Sequence, residues 1–174
     1  MSTWVAFLRG VNLGRRTVKS AELTACLEAL GFTNVKTILA SGNVRFTADR
    51  DEGLATPIAE ALAAHFGFAI GVVLRSREEL ETMVASEPFA AVDAKADVAL
   101  HVILADRPIE PGPDLAGLPA HIEVVRSEPR EIYLVAHRLA NGRYTEGLDK
   151  LDRMMPKGTL ATMRNWNTIR KVLA

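Results

Sequence analysis

The chain has 174 residues, 48% of them hydrophobic and 24% charged, and carries no formal net charge. Those are the proportions of an ordinary globular protein. No apolar run approaches the ~18 residues of a membrane span, no basic segment precedes the first apolar stretch as in a signal peptide, and the lone Cys26 excludes an internal disulfide and suits a reducing cytoplasm.

In chain order, residues 4–9 are apolar on both faces, which predicts a strand covered on both sides. A Gly-containing loop follows, then a helix over about 20–30, where Ser20 is a suitable N-cap and Leu23, Leu27 and Leu30 recur at helical spacing. Gly31 stands where a left-handed C′ residue belongs. Strands over about 35–40 and 44–48 flank Ser41-Gly42-Asn43, which predicts a tight hairpin with the left-handed conformations on Gly and Asn. A second helix over about 53–66 ends at Gly67, and a fourth strand covers 70–75. The fold class expected is α+β. Its N-terminal part, 1–75, reads as a ferredoxin-like split β-α-β-β-α-β unit, a four-stranded antiparallel sheet with the 4–9 strand internal and both helices on one face.

Residues 76–174 read as a second, looser α+β half. A helix over about 77–85 stops before Pro88, and 98–105 is a strong strand. Prolines 108, 111, 113 and 119 mark a surface connection with a short helix between Pro113 and Leu118. Strands over 121–127 and 131–137 are joined by a turn at Glu128-Pro129-Arg130, a helix covers about 146–155, and 166–173 is helical.

Charge is spread unevenly. The first acid is Glu22, so Arg9, Arg15, Arg16 and Lys19 stand unopposed in sequence. The surplus is acidic over 81–137 and basic again over 138–174. Solvated faces and an anion site both fit this pattern.

Three polar clusters carry the functional reading. Arg9-Gly10-Val11-Asn12 opens a loop in which Gly permits positive φ, so successive N–H groups can converge on an anion beside Arg9. It is neither a P-loop nor a dinucleotide fingerprint. Ser41 and Asn43 fall at the same end of the sheet, because the first two strands run parallel. Near the C-terminus, 162–168 reads Thr-Met-Arg-Asn-Trp-Asn-Thr. There Arg164 can grip a carboxylate or phosphate, Asn165 adds an amide, and Thr162 or Asn165 can alternatively cap the last helix.

These clusters, with 22–23, 30–32 and the 100–104 strand, resemble the bacterial domain of unknown function 1697 family over nearly the whole chain. The resemblance implies a soluble bacterial α+β protein and no particular reaction. Met163 stands where a second Thr is common in the family, and of a Gly-x-Ser-Lys-like stretch only Lys150 has a counterpart.

Four dispersed histidines and one cysteine give no metal-ligand spacing, no cofactor motif is present, and no acid–base pair that would make the chain an enzyme can be named. The single aromatic Phe46 on the third strand argues against an RNA-recognition motif. The reading is a binding domain whose partner, a small anionic ligand or a nucleic acid, is held by Arg9, Gly10, Asn12, Ser41, Asn43, Arg164 and Asn165. The alternative is a structural or protein-interaction module in which the same side chains fasten the two halves.

Overall fold

The computed structural model describes residues 1–11, 14–148 and 151–174, and the side chains of all of these except Ser41 and Leu151. The chain divides into two units, one of residues 1–82 with 170–174, the other of residues 83–169.

In the first unit the doubly apolar segment becomes β1 (Ser2–Arg9), followed by α1 (Ser20–Ala29), β2 (Thr33–Thr37), a single 3₁₀ turn (Ala40–Gly42), β3 (Asn43–Ala48), α2 (Ala55–Phe66) and β4 (Gly71–Ser76). The strands form an antiparallel sheet in the order β2-β3-β1-β4, so β1 is internal, as its composition requires. Side chains alternate between faces. Ala6 and Leu8 join Val44, Phe46 and Val72 in one core, where α1 contributes Leu23 and Leu27 and α2 contributes Ile58 and Leu62. Phe32 stacks on Phe46 at 4.6 Å. Val5, Phe7 and Val73, on the other face, are also buried.

Some boundaries differ from the sequence reading. Lys19, not Ser20, occupies the N-cap of α1 and makes no side-chain cap bond, while Gly31 and Gly67 do take left-handed φ of 92° and 81°. After β4 comes α3 (Arg77–Ala85). Ser76 and Glu79 build a capping box at its start: Glu79 N–H donates to Ser76 Oγ at 3.1 Å and Ser76 N–H to Glu79 Oε2 at 2.7 Å.

The second unit holds β5 (Val98–Ala105), β6 (Ile122–Ser127), β7 (Glu131–His137), α4 (Leu151–Met154) and β8 (Ala161–Asn165), with an antiparallel sheet in the order β6-β7-β5-β8. One face carries a core of Ile103, Ile109, Ile122, Ile132, Leu134, Met154 and Met155. Of the helix expected over about 146–155, residues 146–148 are not helical, 149 and 150 lie outside the described residues, and α4 is one turn long; the helix expected between Pro113 and Leu118 is only a turn. Strand β8 was not foreseen. It is short, and its polar sequence becomes a strand only through pairing with β5.

The last helix, α5 (Trp166–Leu173), begins in the second unit, and its final residues belong to the first. There Arg45 Nη1 donates to the carbonyls of Val172 and Ala174 at 2.9 and 2.6 Å, and Arg77 Nη2 to that of Leu173 at 3.1 Å. Two guanidiniums thus satisfy carbonyls that the helix end leaves open. No helix among the described residues is long and apolar enough to cross a membrane.

Candidate functional site

Strands β1 and β2 are both antiparallel to β3, so the chain leaves β1 and enters β3 at one end of the first sheet. Phe7 lies opposite Asn43 and Arg9 opposite Gly71, which puts Arg9 and Asn43 on the face of Val5 and Phe7. The loop beyond Arg9 turns at Gly10, with φ of 84°. A Cβ there would sit 3.6 Å from the Ala69 carbonyl oxygen, an ordinary contact, so it is the backbone angle that favours glycine. Arg15, Arg16 and Lys19 are exposed, and the Arg16 guanidinium lies 5.0 Å over the Phe68 ring. Asn12 lies outside the described residues, as does the Ser41 side chain.

Asn43 is buried at 4% exposure, and its Nδ2 donates to the Ile38 carbonyl at 3.0 Å while Ile38 N–H donates to the Asn43 carbonyl at 2.9 Å. This reciprocal pair closes the β2–β3 connection. The left-handed residues in that connection are Leu39 and Ala40, with φ of 54° and 64°, whereas Asn43 is extended at −135°. The strain therefore falls on two residues with a Cβ, at a cost of roughly 1–2 kcal/mol each, and not on the Gly and Asn that suggested the turn.

In the second unit, Thr162 and Arg164 lie on the β8 face that pairs with Leu104 and Val102. Arg164 Nη1 donates to Thr162 Oγ1 at 2.7 Å and to the Met163 carbonyl at 2.9 Å, and burial lowers its pKa to about 10. Asn165 caps α5, its Oδ1 accepting the Asn167 N–H at 2.8 Å, one of the two caps the sequence suggested. Trp166 is 5% exposed and meets the rings of Phe89 and Tyr133 edge-on, at 5.3 and 5.9 Å.

The second unit also contains a cleft of about 620 Å³ between its sheet and the loop after β7. His101 and Asn165 are cross-strand partners on its floor, and Arg143, Tyr144 and Glu146 line it from the loop. His101 Nδ1 is buried without a hydrogen-bond partner, and desolvation lowers the ring's pKa, partly opposed by the Ala99 backbone. Tyr144 Oη donates to Asp97 Oδ1 at 2.5 Å, and Arg138 donates to the other oxygen of Asp97 at 3.3 Å. Both bonds, the Tyr144 one most, hold the Asp97 carboxyl below its usual range, and the bond to Asp97 raises the Tyr144 phenol. The sequence puts His101 on a strand but gives it no role, because its pairing with Asn165 depends on β8, which no local pattern announces. The run Arg143-Tyr144-Thr145-Glu146 after the Asn141-Gly142 turn was the available signal. Among the described residues no three His, Cys, Asp or Glu side chains gather to hold a metal.

Residues 1–133 match the model of the protein family of unknown function DUF1697. The chain belongs to that family. Its match includes the Arg9 and Ser41–Asn43 clusters and stops before β8. A conserved bacterial protein from Streptococcus pneumoniae, SP0830, has a similar solved structure: 21% sequence identity, TM-score 0.74, with 99% of this chain and 96% of that chain covered. At that identity the likeness supports the α+β fold alone. No curated protein matches the chain.

Proposed function

We propose that this DUF1697 protein is a cytoplasmic binding protein for a small anionic ligand, and that the basic end of its first sheet makes the principal contact. The observation that carries the reading is the meeting of Arg9, Gly10 and Asn43 at that end, beside a loop whose exposed cations, Arg15, Arg16 and Lys19, precede the first acid of the chain. Positive charge and a left-handed glycine together suit an oxyanion approached by backbone N–H groups. Asn12 and Ser41 belong to the same loops and complete the proposed ligand set in the first unit.

The bonds made by Asn43, Arg164 and Asn165 favour a second role for the clusters, as fasteners of local structure. In that role Asn43 positions the loop, Arg9 holds the ligand, and Arg164 and Asn165 secure β8 and the start of α5.

Amide shifts of 10–19 followed by NMR during titration with phosphate, a mononucleotide and a short oligonucleotide test this. Saturable shifts that weaken with salt and vanish in Arg9→Gln support it. A response to the oligonucleotide alone would replace the small ligand with nucleic acid. Silence with all three leaves only the fastening role.

A further inference from the structure

We propose that the cleft between the 143–147 loop and strands β5 and β8 of the second unit is a separate binding site, for a small hydroxylated molecule bearing a carboxylate or phosphate. It shares no residue with the basic end of the first sheet and stands on different observations.

The first is the state of the charges. Both acids beside the cleft are engaged: Glu146 accepts the Asn141 amide at 2.9 Å, and Asp97 accepts from Tyr144 and Arg138. Arg143 lines the same cleft, is exposed, and pairs with no acid among the described residues; its backbone alone is engaged, the N–H donating to Asn141 Oδ1 at 3.0 Å and the carbonyl accepting the Leu139 N–H at 2.8 Å. The cleft therefore offers a guanidinium that is held in no ion pair among the described residues and whose planar fork matches an oxyanion.

The second is the floor. Asn165 commits Oδ1 to the helix cap, which leaves its Nδ2 as a donor without a partner among the described residues. Beside it His101 has a buried Nδ1 without a hydrogen-bond partner among the described residues. Burial keeps the ring neutral near pH 7. A neutral imidazole can accept from a ligand hydroxyl, which a protonated one cannot do. Cation, amide donor and imidazole acceptor thus converge on a cleft of about 620 Å³, with the Tyr144 ring as an apolar wall.

Glycerol 3-phosphate and malate, a phosphate and a carboxylate source that both carry hydroxyls, are the probes. NMR of the His101 ring, the Asn165 side-chain amide and the Arg143 Nε–H should show saturable shifts with one or both, and the responding probe identifies the oxyanion. Arg143→Gln, an exposed position that leaves the fold intact, should weaken binding at least about tenfold. Arg9→Gln should leave it unchanged, which separates this site from the one proposed in the first unit. Absence of saturation with both probes, or undiminished binding by Arg143→Gln, overturns the proposal.

Discussion

Two stretches of the second unit, 162–168 and 143–147, carry similar polar side chains and use them differently. In the first, Arg164 is largely buried, bonded to a hydroxyl and a carbonyl, and Asn165 and Trp166 are engaged in a cap and a ring cluster. In the second, Arg143 is exposed and pairs with no acid among the described residues, while Tyr144 donates to Asp97 and Glu146 accepts from Asn141. Density of hydrogen-bonding side chains in a sequence therefore does not distinguish a fastener from a site. What distinguishes them is whether the bonds are already made.

The largest expected effect breaks the comparison if it fails. Arg164→Ala removes a guanidinium that satisfies Thr162 Oγ1 and the Met163 carbonyl, and leaves a partly buried strand end short of its donors. It should cost about 2–3 kcal/mol of stability, read as a shift of the urea midpoint with unchanged slope. A loss near zero would return Arg164 to the ligand-binding side. Asn43→Ala should cost less, about 1–2 kcal/mol. It removes one bond to Ile38, but that bond also holds Leu39 and Ala40 in their left-handed conformations, and their relaxation offsets part of the loss. Amide exchange in 38–42 should accelerate in this variant while the rest of the sheet stays protected. Uniform acceleration would mean the loop is no local unit.

How far these features were legible depends on whether the signal was local. The first sheet announced itself through the doubly apolar 4–9 segment and the glycines at 31 and 67, because strand burial and helix stops act on neighbours in sequence. The β2–β3 connection misled because a Gly-Asn pair ordinarily takes the left-handed angles, yet here the bonds between Ile38 and Asn43 place them on Leu39 and Ala40. Strand β8 was missed because its strand character comes from pairing with β5, more than 50 residues away in sequence. The cleft forms only where β8 and the 143–147 loop come together, so of its lining the sequence points to Asn165 alone, through its place in the 162–168 cluster.

The smallest effect sharpens the comparison, because it reports one unsatisfied group and removes no bond. Desolvation holds the His101 pKa below its ordinary value of 6.5 in the folded protein. Between those two values the unfolded chain binds more protons at this position than the folded one, so stability rises with pH across the window. The contribution is complete above about 6.5, declines as pH falls through that value, and levels off below the folded pKa. His101→Gln keeps the polarity and removes the titration, so the difference in stability between wild type and variant should depend on pH only in this window. Asp97, with its pKa lowered from 3.8, shapes the curve at lower pH and does not confuse the reading. Urea midpoints taken for both proteins from pH 5 to 8 suffice. Parallel curves would mean that the imidazole reaches water as freely in the fold as outside it, and the floor of the cleft would then resemble any solvated surface. Diverging curves that spread further apart when a hydroxylated anion saturates the cleft would tie the neutral ring to the ligand it is proposed to accept from, because a hydroxyl donated to the neutral imidazole holds its pKa lower still.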